Sequence, residues 1–597
     1  MHYPQLLLIL ALSAGLLSGC SAPEPAKSSK IQSIVTLNLG SEPPSLDPAH
    51  VTDLSGFSVV NNLLRGLVTF QDTPDGQTKI VPAVAERWTQ SADGKTYTFN
   101  LRPQATWQDG QPVTSAHFLA ALERALNPAT AAEYAFFLFP IAKAEAYSKG
   151  QIHDFSQVGV YAPDARTLVI KLTQPNPFFL QLLASPIALP VRPEVIAKQA
   201  HPFTEAKGYM SNGPFTLADW QHEVSLTLTR NPRYAEPGAL LTEAHKADPD
   251  NTNKSARSEP LRQGSNSTQT KPPRSLNQGI GASAKAPSRV QTVQFLMIPD
   301  PNTALVLYDS GALDYVDTLP PNEVLRLKRE AAKPGAYYGA YHEQPLFAIN
   351  YLGLNTLKPP LTNVRVRQAL AMSIDRSLWP KLLPSGAAPY NGLIAPGLLG
   401  ADAQSGLPFN PQQARALLKA SGINVKQPIT LAFRAQFALQ REAELIQFCW
   451  EKHLGLNVRL MPMDWKAYLA LLANPNDPNA PHVHRMNWYV DYPDTDSLMG
   501  LFTSSNGNNH IGWANHQYDA LIAQAAVTQT PGLREKLYMQ AEQLLLRKAA
   551  AVIPVTVPLK TYLLRPGIEG FGLNRLNVLS LEELAREGVR GRERTPH

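Results

Sequence analysis

No single hydrophobic core can close over 597 residues. Cores stop growing at about 250 to 300 residues, and longer chains divide into separate units. Two or three domains are therefore expected, with enough material for a cleft between lobes. Apolar residues at 44% and charged residues at 17% describe a globular chain and exclude one that is disordered or membrane-embedded throughout. The formal net charge of +6 would permit nucleic-acid binding. No Lys/Arg stripe interleaved with aromatics runs through the folded part, however, so no nucleic acid is expected as a partner.

At the N-terminus, Leu6 to Leu17 is an apolar run too short to span a bilayer, and it reads as the core of a signal peptide over residues 1–19. Leu17-Ser18-Gly19-Cys20 resembles the bacterial lipobox, which implies cleavage before Cys20 and a diacylglycerol on its sulfur. Residues 20–30 are then a polar, proline-containing tether. The other cysteine, Cys449, falls on the broad apolar face of a helix over Arg441 to Leu454, the pattern of a buried and inert thiol.

From Ile31 onward the chain alternates strand and helix signals. Val35 to Leu39 alternates as a strand and Ser41 to Pro48 turns it; Trp107 to Thr114 is a turn whose Thr114 can cap a helix running to about Leu126. Arg289 to Pro299 reads as a strand, Asn302 to Tyr308 as a helix stopped by Gly311, and Leu313 to Val316 as the next strand. Ile429 to Phe433, the helix holding Cys449, Leu456 to Leu460 and a helix around Trp465 continue the series, and a helix from about Pro531 to Arg547 precedes Val552 to Val555. Between 237 and 288, Ser, Asn, Thr, Gln, Lys, Arg and Pro dominate, and the composition predicts a disordered loop of roughly fifty residues, a cheap insertion by loop-closure entropy.

Several landmarks together resemble the family 5 extracellular solute-binding proteins, the oligopeptide-binding branch in particular. They are Glu42-Pro43-Pro44-Ser45-Leu46-Asp47-Pro48 after the first strand, Trp107-Gln108-Asp109-Gly110-Gln111-Pro112-Val113-Thr114, Gly213-Pro214-Phe215 with Arg230-Asn231-Pro232-Arg233-Tyr234, and Val364-Arg365-Val366-Arg367-Gln368-Ala369-Leu370 leading to Ile374-Asp375-Arg376. The resemblance implies an α/β, two-lobed periplasmic-binding-protein (Venus-flytrap) fold with an additional small domain and mixed sheets flanked by helices. The expected division is lobe I over 31–64, 189–316 and 562–597, the small domain over 65–188, and lobe II over 317–561. It also implies a monomer that binds short peptides and serves the transmembrane subunits of an ABC permease, anchored by lipid alone on the extracytoplasmic or periplasmic face of a membrane. Murein peptides, dipeptides, nickel chelates or haem are the other ligands such a fold would take. Arg365, Arg367, Asp375 and Arg376 read as structural, pairing locally.

The stretch from His484 to Asp494 is apolar and aromatic like a core strand, yet it carries Arg485 near one end and Asp491 near the other. Buried charges need partners, which internal salt bridges or a ligand would supply equally well. The family resemblance favours the ligand. It implies Asp491, three residues after Trp488, for a peptide's ammonium; Arg485, six before Asp491, for its carboxylate; and Lys358, ahead of Pro359-Pro360, for carboxylates of peptides of other lengths. On one extended strand Arg485 and Asp491 would share a face ~20 Å apart, with room for a short peptide to lie between them; the resemblance implies peptides of about two to five residues. Asn487 to Tyr489 would offer backbone pairing, with Trp488, Tyr489, Tyr492 and Tyr134 as candidate walls.

No catalytic constellation accompanies these residues. His222-Glu223 and His342-Glu343 lack the second histidine of a zinc-protease helix, and neither a nucleophile elbow nor a phosphate loop is present, so no enzyme activity and no cofactor are expected. His482 and His484, with Asp491, Asp494 and Asp496 nearby, are the raw material for a metal site, and a secreted metallohydrolase is the alternative of another class.

Overall fold

Short β-branched and aromatic runs punctuated by proline, as the sequence offers throughout, favour many brief strands over a few long helices. The computed structural model describes residues 34–72, 78–199, 203–235, 288–333, 341–383, 386–425 and 427–587. The expected signal peptide, Cys20, the tether and the insertion up to residue 287 lie outside the described residues.

A twelve-stranded mixed sheet forms the spine. In one half Ile34–Asn38 lies parallel to Thr292–Leu296, which pairs in turn with the hairpin Phe215–Gln221/Ser225–Arg230. Gly311, at φ 87°, ends the helix Pro301–Ser310, and the strand that follows is only Tyr315–Val316. In the other half Val458–Met463, Ile429–Arg434, Val483–Tyr489 and Ala348–Leu354 stand side by side in that order. The strand Val552–Leu564 belongs to both: its first residues pair with Ala348–Leu354, and Leu563 and Leu564 pair with Tyr315–Val316. The lobe boundary expected between 561 and 562 thus falls inside this strand.

The region expected as a small domain holds an antiparallel sheet of four strands, Ala85–Gln90, Thr96–Leu101, Thr167–Lys171 and Val160–Asp164. Against it lies the helix Ser115–Leu126, whose cap residue Thr114 donates its amide to His117 Nδ1 at 3.0 Å. Its core is continuous with that of the 34–64 and 209–228 segments. The second half of the spine instead separates two cores, one on the Ile349, Tyr351 and Met486 face and one on the Leu352, Leu354 and Val483 face. The helix Phe437–Leu454 covers the latter with Leu445, Ile446, Cys449 and Trp450.

Two expectations are corrected. The strand through 484 to 494 ends at Tyr489, so Asp491 lies on a bend beyond it and not on the same strand as Arg485. The cause is local: Asp491 gives its amide to Ser497 Oγ at 3.0 Å, turning the chain before Pro493. The arginines of 365–376 are structural but pair with no carboxylate among the described residues. Arg365 donates to the Ala420 carbonyl, Arg367 to those of Ala549 and Leu361, and Arg376 to that of Pro554.

Candidate functional site

The strand Val483–Tyr489, here the site strand, is paired along its whole length on one side only. Every residue from 483 to 489 faces a partner in Ala348–Leu354. On the other side Ile429–Arg434 accompanies it in parallel only at Leu431/Val483 and Ala432/His484, then splays away and stays paired with Val458–Met463. Asn355 N–H donates to the His482 carbonyl and Val490 N–H to that of Phe347. By antiparallel alternation, the backbone groups of 485, 487 and 489 therefore point to the splayed side. Tyr468 Oη donates to the Arg485 carbonyl at 2.5 Å. Asn487 and Tyr489 face the gap.

That gap opens into a cleft of about 930 Å³. The site strand lines it from Arg485 to Tyr489, and Arg434, Phe437, Trp465 and Leu469 line a flank together, Arg434 lying over the Trp465 ring. A polar row crosses its floor: Asn487 stands opposite Asn350 in the ladder, and Asn350 Nδ2 donates to Thr556 Oγ1 at 2.9 Å. The ring of Trp488 lines the cleft, and its indole N–H is buried without an acceptor among the described residues.

The cations expected at the carboxylate end already have partners. Arg485 is 8% exposed and holds Glu442, also 8% exposed, through Nε and Nη2, each 2.9 Å from Oε2. Glu442 Oε1 is also the acceptor of Trp379 Nε1 at 3.3 Å. Lys358 Nζ donates to the carbonyls of Pro478, at 2.9 Å, and Ala480, and it is not among the cleft-lining residues.

Asp491 is different. Its carboxyl contacts only its own amide and Ser497, no cation stands within ion-pair distance of it among the described residues, and burial pushes its pKa up to about 6. Asp491 lies at the seam with the small domain. Burial first, and the charge of Asp491 second, push the pKa of Tyr134 up to about 12. The next residue, Tyr492, stacks on Phe178 with centroids 5.2 Å apart, meets Phe137 edge-on at 5.7 Å, and donates to Asp496 at 3.0 Å. Tyr134 and Tyr492 are thus packed into the seam rather than into the 930 Å³ cleft.

The histidines are structural. Thr430 donates its amide to His482 Nδ1 at 3.1 Å, leaving Nε2 to donate to the Pro359 carbonyl at 3.1 Å, so both ring nitrogens are engaged. Burial pulls the pKa of His482 down to about 4 and that of His484 to about 3. Asp494 forms a two-pronged pair with Arg534, at 2.7 and 2.5 Å, and Asp496 accepts from Tyr492 and Tyr538. No group of three or more His, Cys, Asp or Glu side chains that could hold a metal occurs among the described residues. No helix among them is long and apolar enough to cross a membrane.

Sequence reading missed Glu442, Asn350, Thr556 and Arg434. Glu442 had a signal, since it sits three, four and seven residues before Leu445, Ile446 and Cys449, on the helix face that must be buried.

The sequence profile of the bacterial extracellular solute-binding proteins, family 5 middle region, matches residues 79–510. A probable deoxycholate-binding periplasmic protein of Escherichia coli (strain K12) is 29% identical over 91% of this chain and 91% of its own. The periplasmic murein peptide-binding protein of the same organism is 28% identical over 95% of each. The solved structure of a periplasmic murein tripeptide-binding protein in its unliganded open form superposes with a TM-score of 0.72 at 27% identity, over 93% of this chain and 98% of the other.

Proposed function

The chain belongs to the bacterial extracellular solute-binding proteins of family 5, and from that premise we propose that it captures short peptides in its cleft and hands them to an ABC permease. The observation that carries the reading is the half-open site strand ending beside a half-buried carboxylate that has no cation partner among the described residues. A peptide running antiparallel to the site strand would complete the ladder at Asn487 and Tyr489, gaining affinity that does not depend on its sequence. Its ammonium would meet Asp491, where low solvent access strengthens a charge-assisted bond. Trp488 and Tyr489 would flank its side chains. Because Asp491 sits at the seam with the small domain, occupying it would favour the closed arrangement of the lobes. In this reading Arg485, tied to Glu442, shapes the opposite end, Lys358 braces the 478–480 loop, and Tyr134 and Tyr492 build the seam around Asp491.

Calorimetry with a tetrapeptide, free and N-acetylated, tests the proposal. The free peptide should bind at least about tenfold more tightly, as expected for a desolvated charge pair. Equal affinities would remove Asp491 from the ammonium role. A second reading, an amphipathic acid such as a bile acid, is favoured by the apolar flank of Trp465, Leu469 and Phe437 and by the name of one relative. Deoxycholate in the same calorimeter separates the two. The lipobox-like Leu17-Ser18-Gly19-Cys20 supports anchoring through Cys20 on the periplasmic face of a membrane. Cys20→Ser should then move the protein from the membrane fraction to the soluble one.

A further inference from the structure

Resting on the peptide reading above, the geometry points to Arg434, with the apolar flank of Trp465, Phe437 and Leu469, as the subsite for the ligand's C-terminal residue, selecting peptides that end in a large apolar side chain. A carboxylate approaching Arg485 meets a guanidinium already neutralised by Glu442, and both groups are almost wholly enclosed. Exchanging that partner would strand Glu442 in the protein interior, which is costly. Another cation is needed at this end of the cleft, and two line it, Arg434 and Arg441.

Arg441 stands 3.9 Å from Glu444 on the exposed face of its helix. Arg434 has no carboxylate within ion-pair distance among the described residues, and its guanidinium lies over the Trp465 ring at 5.3 Å from the centroid. Stacking of this kind orients the planar group while leaving its N–H edge free to grip a carboxylate in two-pronged fashion. Position agrees with charge. Arg434 is the last residue of the strand that splays from the site strand two residues earlier, so it stands at the head of the lane a ligand strand would occupy. A peptide whose ammonium reaches Asp491 runs antiparallel to the site strand and therefore brings its C-terminus to Arg434.

The side chain next to that carboxylate would meet an apolar surface otherwise open to water. Phe437 is 83% exposed, and Trp465 and Leu469 are 39% and 37% exposed, an uncommon grouping of large apolar groups on one cleft wall. Covering them with an aromatic or long aliphatic side chain is favourable, whereas alanine leaves them wet. The resulting ligand class is a short peptide with a free carboxylate on a bulky apolar terminal residue.

The test uses the full chain in calorimetry with Ala-Ala-Ala-Phe, its C-terminal amide, and Ala-Ala-Ala-Ala. The phenylalanine peptide should bind the wild-type chain at least about tenfold more tightly than either comparison peptide, as a desolvated charge pair and a buried aromatic each allow. In Arg434→Gln the penalty for amidation should vanish while the preference for phenylalanine persists. In Trp465→Ala the preference for phenylalanine should shrink and the amidation penalty remain. Arg434→Lys should keep most of that penalty, and unchanged melting of the three variants shows that folding is not the cause. An amidation penalty as large in Arg434→Gln as in the wild type overturns the subsite alone. Failure of all three peptides to bind the wild-type chain overturns the peptide reading and the subsite together.

Discussion

Replacing Asp491 by asparagine should make the protein purified free of peptide more stable while it weakens peptide binding by about tenfold or more. The folded chain raises the Asp491 pKa from the ordinary 3.8 to about 6, because burial penalises the ionised form and no cation compensates. The native state therefore binds this proton more tightly than the unfolded chain does. Below the unfolded pKa the group contributes no penalty, and as pH rises through about 6 the penalty grows to its full value. An interval of about two pKa units, at about 1.4 kcal/mol each, sets an upper limit of about 3 kcal/mol. Partial exposure of the residue reduces the expected effect to about 1 to 3 kcal/mol. Asparagine keeps the shape and the backbone bond to Ser497 and removes only the charge. Denaturant unfolding of both proteins at intervals from pH 4 to pH 8 reads the difference directly. The variant should match the wild type near pH 4 and exceed it increasingly towards pH 8. The burial of Asp496, also raised to about 6, is common to both proteins and cancels. A difference that does not change with pH, or a variant less stable than the wild type at pH 8, would refute the reasoning.

Glu442→Gln should destabilise the protein by about 2 to 4 kcal/mol in denaturant unfolding, since it leaves Arg485 charged and enclosed. Adding Arg485→Met should recover much of that cost, and strictly additive effects would show that the two side chains do not interact. Tyr492→Ala should cost about 3 to 5 kcal/mol by removing a ring packed between Phe137 and Phe178, with unchanged melting as the contrary result. The thiol of Cys449, fully buried and with its pKa raised by burial, should stay unreactive to a thiol reagent in the folded Cys20→Ser protein and react on unfolding.

Much of the fold was legible because it is written locally. The hairpin around Pro214-Phe215 and Arg230, the capped helix after Thr114, the stop at Gly311 and the buried Cys449 each follow from a turn residue, a cap or a periodicity within a few positions. The site was legible in part. The charges on 484 to 494 announced a place where burial and ionisation conflict, and both answers prove present: a salt bridge at Arg485 and a carboxylate without a cation at Asp491. Which end takes which answer depends on Glu442, which is 43 residues away in sequence from Arg485 and reaches it through the packing of a helix on a sheet. The splay after Ala432 and His484 depends likewise on register between distant strands, and no local pattern encodes it. Arg434, exposed at a strand end, looks in sequence like any solvated charge.

The strand Val552–Leu564 carries a consequence for how the molecule comes into being. Its partners include Ala348–Leu354 in one half of the spine and Tyr315–Val316 in the other, and both precede it far upstream in the chain. The two halves of the spine cannot be joined until the last tenth of the polypeptide has been synthesised. A truncation anywhere before residue 552 removes the seam stitch from both halves at once, so shortened products should be cleared by proteolysis rather than persist as single folded lobes.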